Sequence, residues 1–217
     1  MNPAAAGVSP AAPGARVHPI IAIDGPAGSG KSTVSRALAT RLAVDRLDTG
    51  AMYRAVAWAA LDRGIDPDDR ARVAELARGL TLTVGDGIAV DGIDVTDAIR
   101  GPRVSRVVSV VAANPEVRAV LVERQRQWVA EHGGGVVEGR DIGSVVFPHA
   151  DLKVYLTATA EERARRRPEE GADAVARRDR LDSTRAVSPL GVAEGARVVD
   201  TTDREVDDIV EEMVAWL

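Results

Sequence analysis

Apolar residues run unbroken through Ile20, Ile21, Ala22 and Ile23, then stop at Asp24 and a glycine-rich turn. A short apolar run bounded by turn residues predicts a buried strand. Across Lys31–Leu42 the apolar positions recur every three or four residues, which predicts a helix. The same order follows again: a short strand over residues 44–47, then a helix from near Gly50 that carries Met52, Val56, Ala59 and Leu61 and stops at Gly64.

Residues 80–95 break this plan. Leu-Thr-Leu-Thr-Val, Ile-Ala-Val and Ile-Asp-Val are separated by Gly85-Asp86-Gly87 and Asp91-Gly92, which predicts a small antiparallel meander inserted into an alternating β/α chain. Helical spacing returns over residues 103–113, pauses at Asn114-Pro115, and resumes over 117–128 ahead of Gly133-Gly134-Gly135. Strands are predicted at 136–138 and 151–156, the second with Lys153 snorkelling at its edge. An arginine-rich helical stretch covers 161–185, a last strand covers 198–200, and an amphipathic helix over 203–217 places Ile209, Met213 and Leu217 on one face. The alternation predicts an α/β fold of three layers, αβα, around a central parallel sheet, with the antiparallel segment as an insertion.

Length adds that one core is enough, since 217 residues fit a single α/β domain. Residues 1–18, rich in Ala, Pro and Gly, read as a flexible tail without the charge and apolar run of a signal peptide, leaving 19–217 as the domain. A net charge of −5 argues against broad binding to nucleic acid, and no apolar run approaches the ~18 residues of a membrane span. The absence of cysteine excludes disulfides and thiolate metal sites, so a reducing cytoplasm is the expected compartment.

Chemistry enters at the first turn. Gly25-Pro-Ala-Gly28-Ser29-Gly30-Lys31-Ser32 has the spacing of a P-loop and stands between a predicted strand and a predicted helix. Glycines let the backbone curl its N–H groups around one anion, the helix N-terminus adds its dipole, Lys31 reaches the β- and γ-phosphates, and Ser32 offers magnesium a hydroxyl ligand. Thr33 follows at the same helix start. Lys31 is one of only two lysines in an arginine-rich chain, which fits a place that needs a flexible ammonium. The motif alone does not separate kinases from other P-loop proteins, although no Asn-Lys-x-Asp of a GTPase occurs.

Three more clusters bear on the acceptor. Leu47-Asp48-Thr49-Gly50-Ala51-Met52-Tyr53-Arg54 opens the second helix; Asp48 or Thr49 there fits a plain cap, while Arg54 one turn in can grip a phosphate in bidentate fashion. Val136-Val137-Glu138-Gly139-Arg140-Asp141-Ile142-Gly143 ends a strand, where ligands of open α/β sheets bind, although Arg140 and Asp141 also suit a surface ion pair. Arg178-Asp179-Arg180-Leu181-Asp182-Ser183-Thr184-Arg185 is either part of a site or a solvated helix face.

Together with Glu-Gly-Arg-Asp-Ile-Gly-Ser-Val-Val-Phe-Pro and Arg-Asp-Arg-Leu-Asp-Ser-Thr-Arg-Ala-Val-Ser-Pro-Leu, these stretches resemble the bacterial cytidylate kinase family of nucleoside monophosphate kinases, from about Pro19 to the C-terminus. The resemblance implies that Thr49, Ser109, Arg118 and Asp141 hold cytosine, that Arg54, Arg140 and Arg185 hold the acceptor phosphate, and that Arg178 and Asp182 meet the sugar. Tyr53 stands between packing and sugar contact; Ser109 and Arg118 on their own would read as ordinary helix residues. On the donor side it implies Gly25, Gly28, Ser29, Gly30, Lys31, Ser32, Thr33 and Arg163 around the ATP phosphates, with magnesium on Ser32. It also implies a monophosphate-binding insertion over about 65–132 and a lid over about 163–185.

Two departures stand out. Only ten residues separate Arg167 from Arg178, so the lid is shorter than the family's, and which of Arg163, Arg166 and Arg167 reaches ATP is left open. Glu138 stands where an aspartate is expected. The expected activity is transfer of the ATP γ-phosphoryl group to CMP or dCMP by a monomer, with Lys31, Arg140 and Arg185 as catalytic residues and no nucleic-acid or membrane partner. The alternatives are a P-loop kinase for another monophosphate and a non-catalytic nucleotide sensor.

Overall fold

The computed structural model describes residues 17–168, 172–183 and 190–217. Five parallel strands form the central sheet: β1 (Ile20–Asp24), β2 (Arg46–Asp48), β6 (Gly135–Glu138), β7 (Leu152–Thr157) and β8 (Arg197–Asp200), in the spatial order β2-β6-β1-β7-β8. The chain leaves β1 toward one side of the sheet and later returns to its other side, so the crevice that such a reversal opens lies next to β1. Because the strands are parallel, their carboxyl ends share one edge: Asp48 is level with Glu138, Glu138 with Ile23, and Asp24 with Tyr155.

Each strand feeds two cores by alternation. Ile21, Ile23 and Val136 pack with α1 (Lys31–Leu42) and α8 (Val206–Val214) through Val34, Leu38, Ile209 and Met213. Ala22, Leu47 and Val137 face the other layer, built from α2 (Thr49–Asp62), α3 (Arg70–Gly79), α4 (Pro102–Ala112) and α5 (Pro115–His132). A three-stranded antiparallel sheet of β3 (Leu82–Val84), β4 (Ile88–Val90) and β5 (Ile93–Asp94) is the expected meander, and Ile88 and Val90 bury its inner face in that second core. A 3₁₀ turn at Ala98–Arg100 leads from it into α4.

Three expectations need correction. Helix α3 is an addition to the elements expected from periodicity, although its signals are ordinary: Asp69 caps it by accepting from Arg72 N–H at 3.1 Å, and Val73, Ala74, Leu76 and Ala77 are buried. The arginine-rich stretch is not one helix. It is α6 (Ala160–Arg165) and α7 (Ala172–Ser183), and Pro168 stands in the break, where its ring disfavours helix in the preceding residue. The last helix ends at Val214, so Leu217 lies beyond it and is 51% exposed, away from the face of Ile209 and Met213. Lys153 snorkels as expected: it stands near the start of β7, which pairs in parallel on both sides, and its ammonium leans out to the Glu194 carbonyl at 3.0 Å. Among the described residues no helix is long and apolar enough to cross a membrane.

Candidate active site

The turn after β1 is built so that its backbone can face an anion. Gly25 has φ +148°, and a Cβ there would lie 2.1 Å from the Leu156 carbonyl oxygen, so only glycine fits between β1 and the end of β7. Gly30 precedes α1 with φ 83°, and no side chain caps the helix, which leaves its first N–H groups turned toward the loop. The Ser29 hydroxyl is fully buried without a hydrogen-bond partner. Lys31 Nζ donates to the Pro26 carbonyl at 2.6 Å, folded over the loop that it would leave for a phosphate. Lys31 and Ser32 also line a cleft of about 810 Å³.

The rest of that cleft comes from the carboxyl ends of β2 and β6 and from α2, α4, α5 and α7. Asp48 is the cap of α2, accepting from Ala51 N–H at 3.0 Å, while Thr49 turns inward and donates to the Glu138 carbonyl at 2.7 Å. The bland alternative thus holds for Asp48 and fails for Thr49. Gly139 must be small here, since a Cβ would stand 2.6 Å from Ile142 Cδ1 and 2.7 Å from Thr49 Oγ1. Arg54 is buried and donates to the Ile99 carbonyl and to Ser105 Oγ, each at 3.0 Å.

Arg140 and Asp141 are each engaged by a distant partner. Arg140 donates to Asp182 at 2.9 Å and to the Gly25 carbonyl, linking α7 to the P-loop. Asp141 accepts from Arg118 Nη2 in an ion pair with side chains 4% and 5% exposed. Arg118 Nη1 is buried without a partner, and Tyr53 packs its ring against the same guanidinium at 5.6 Å. Ser109, buried on α4, lines the same cleft as Tyr53, Arg118 and Asp141.

Two carboxylates that the sequence reading gave no role hold the floor. Asp24 accepts from the N–H groups of Ile142 at 2.8 Å and Gly143 at 2.7 Å, fixing the loop that carries Asp141 against the P-loop strand. Burial pushes its pKa from 3.8 up to about 6, against the pull of those two N–H groups. Glu138 accepts from Ser35 Oγ at 2.9 Å and Arg46 Nη1 at 3.0 Å; burial, with Asp48 nearby, raises its pKa against the pull of Arg46 and Lys31. A charged residue at the end of an apolar strand was the available signal for Asp24.

On the donor side, Arg166 and Arg167 line the cleft, whereas Arg163 does not. Arg166 is anchored by Glu162 at 2.7 Å and by Thr201 Oγ1 at 2.9 Å, and Thr201 in turn bonds the loop at the Ser29 carbonyl, 3.1 Å away. The side chain of Arg178 and the whole of Arg185 lie outside the described residues.

A family model described as cytidylate kinase matches residues 21–217. The chain belongs to the cytidylate kinase family. It is 48% identical over 211 residues to the cytidylate kinase of Nocardia farcinica, covering 89% of this chain and 91% of that one. The Corynebacterium glutamicum cytidylate kinase is 47% identical over 212 residues, with 90% and 92% covered. A bifunctional pantoate ligase/cytidylate kinase of Synechocystis sp. is 48% identical over 216 residues, 90% of this chain but 42% of its own length. The chain thus spans about two fifths of that longer relative and nearly all of the other two. Membership agrees with the geometry, which brings together all the expected acceptor-side residues whose side chains are described.

Proposed function

We propose that the chain transfers the γ-phosphoryl group of ATP to CMP or dCMP, giving CDP or dCDP and ADP. The carrying observation is the buried Arg118–Asp141 pair at one end of a cleft whose other end is the P-loop, with Arg118 Nη1 left unsatisfied. A buried guanidinium nitrogen without an acceptor is costly, so the site is formed for a ligand that supplies one. Cytosine presents O2 and N3 acceptors beside an exocyclic amine donor, which suits a guanidinium and a carboxylate side by side. Uracil replaces that amine by a carbonyl facing Asp141, a mismatch worth on the order of a few kcal/mol.

The acceptor phosphate is already an anion at neutral pH, so no general base is required. One of its oxygens attacks the γ-phosphorus in line, the bond from that phosphorus to the β,γ-bridging oxygen breaks, and ADP leaves. Arg54, Arg140 and Arg185 hold the acceptor phosphate, Lys31 follows the β- and γ-phosphates, and Arg166 and Arg167 face the donor from the cleft wall. Arg178 and Asp182 meet the sugar. Together these residues position two polyanions and balance the charge that spreads over the transferring group.

Among the described residues no cluster of three His, Cys, Asp or Glu side chains can cage a metal ion. The fit is instead to magnesium, which keeps waters and takes phosphate oxygens with few protein ligands; Ser32 in the cleft supplies the hydroxyl. When bound, that ion neutralises charge on the β- and γ-oxygens. A monomer in the cytoplasm, working in pyrimidine nucleotide metabolism, completes the reading.

The test is an ADP-release assay with ATP and magnesium, offering CMP, dCMP, UMP, AMP and GMP beside a no-acceptor control. Turnover that depends on CMP and dCMP supports the reading. Faster turnover with AMP, GMP or UMP keeps a P-loop kinase and overturns the acceptor; ATP binding without acceptor-dependent turnover indicates a sensor.

A further inference from the structure

Asp179 and Asp182 of helix α7 stand three residues apart, and that spacing puts them on one helix face. Asp182 serves the acceptor side through Arg140, whose guanidinium also donates to the Gly25 carbonyl. Asp179 reaches a different part of the same loop. Its Oδ1 accepts from the Ala27 N–H at 3.1 Å, and its Oδ2 accepts from Arg163 Nη1, which also donates to the Ala27 carbonyl at 3.3 Å. Arg163 is itself tied to the end of β7, through Nε to the Ala158 carbonyl at 3.2 Å.

One ion pair thus takes both backbone polar groups of Ala27. That residue stands between Pro26 and Gly28, whose φ is +77°, inside the glycine-rich turn that has to hold its curled shape to meet an anion. Ala27, Arg163 and Asp179 are all absent from the cleft lining, whereas Arg166 and Arg167 belong to it. The pair holds the loop through its backbone at Ala27, whereas Lys31 and Ser32 of the same loop face the cleft. A cradle of N–H groups binds a polyanion well only if it is held in shape beforehand, since ordering it on binding subtracts from affinity.

We propose that Asp179 is a positioning residue for the phosphate donor: with Arg163 it clamps Ala27 and presets the P-loop, while Asp182 on the same face serves the acceptor. This rests on the kinase reading above and deepens it. It also gives Arg163 a structural place in the donor site that differs from direct phosphate contact.

The test uses the whole chain with magnesium, as wild type, Asp179→Asn and Asp179→Glu. Asparagine can still accept from Ala27 N–H, but it loses the charge that holds Arg163; glutamate keeps the charge on a longer arm. Three quantities are read: the Kd of ATP by titration calorimetry without acceptor, the KM values of ATP and CMP, and the melting temperature. Asp179→Asn is expected to raise the Kd and KM of ATP about tenfold and to leave the KM of CMP within twofold, with part of the loss restored in Asp179→Glu. An ATP Kd within twofold of wild type overturns the proposal. So does an equal rise in both KM values with a lowered melting temperature, the signature of a merely structural role. Should wild type bind ATP without turning over CMP, the kinase reading fails, and calorimetry still decides the role of Asp179.

Discussion

Arg118 donates from Nη2 to the Asp141 carboxylate across 23 residues of sequence, and the two side chains are almost completely removed from solvent while still bordering the cleft. An ion pair in that position is a poor stabiliser, because desolvating both charges offsets most of their attraction. Its worth is in what it presents to a ligand: a fixed carboxylate beside a guanidinium nitrogen with no acceptor of its own.

Replacing Asp141 by Asn tests this without stranding a bare arginine, since an amide oxygen can still accept from Arg118. The amide can also donate toward the base, which favours a carbonyl over an amine. Expected is a rise in the KM of CMP of about 10- to 100-fold, a KM of ATP within twofold, and a higher ratio of UMP to CMP turnover. Steady-state kinetics with both acceptors reads all three. An equal loss toward ATP and CMP would remove Asp141 from the base pocket.

Lys31 folds over the phosphate loop to the Pro26 carbonyl and is only partly buried. Its charge eases the burial of Asp24 and Glu138, but its side chain fills no part of either core. Lys31→Ala is expected to lower kcat at least 10²- to 10³-fold, the scale of losing one preorganised charge-stabilising donor, with an unchanged circular dichroism spectrum. An unfolded variant would show that the lysine holds the loop together as well as the phosphate.

Asp24 makes stability depend on pH. Its carboxyl is raised from 3.8 to about 6 in the folded protein, chiefly by burial, so folding favours the protonated form. That contribution is fully present below the unfolded value near 3.8 and is lost as pH rises through about 6. That difference corresponds to ~3 kcal/mol. Urea unfolding of wild type and Asp24→Asn at pH 3.5 and 7.5 checks it: the difference in stability between the two should shift against wild type by roughly that amount. Parallel pH profiles would mean that Asp24 titrates like an exposed carboxylate.

The sequence makes the P-loop, both layers and the antiparallel insertion readable because each rests on local periodicity or on turn residues with one conformational meaning. Helix α3 is equally local but leaves a weak signal, since only four of its ten residues are buried and its apolar stripe is correspondingly thin. Partnerships across the chain are another matter. Nothing near Glu138 announces that Ser35 and Arg46 will hold its carboxylate, and nothing near Asp24 announces Ile142 and Gly143, because those contacts arise only when β1, β2 and β6 come into register. Ser109 and Arg118 required the family resemblance for the same reason; a hydroxyl and a long side chain on helices acquire a role only once α4 and α5 are packed beside the end of β6.

Gly139 joins stability to acceptor binding at a single atom's distance. An added methyl group would meet Ile142 Cδ1 at 2.6 Å and Thr49 Oγ1 at 2.7 Å, and Thr49 is fixed by its bond to the Glu138 carbonyl. Gly139→Ala is therefore expected to cost about 1–3 kcal/mol of stability by overpacking. Thr49 lines the cleft, so the KM of CMP should rise while that of ATP holds. The two clashes can be separated with Ile142→Val, which removes Cδ1 and leaves Thr49 untouched. In the double variant part of the lost stability should return, making the effects less than additive, while the raised KM of CMP persists. Thermal unfolding and CMP kinetics on the four proteins of this cycle decide it: full recovery of KM in the double variant would place the constraint on Ile142 alone and free Thr49 from the acceptor site.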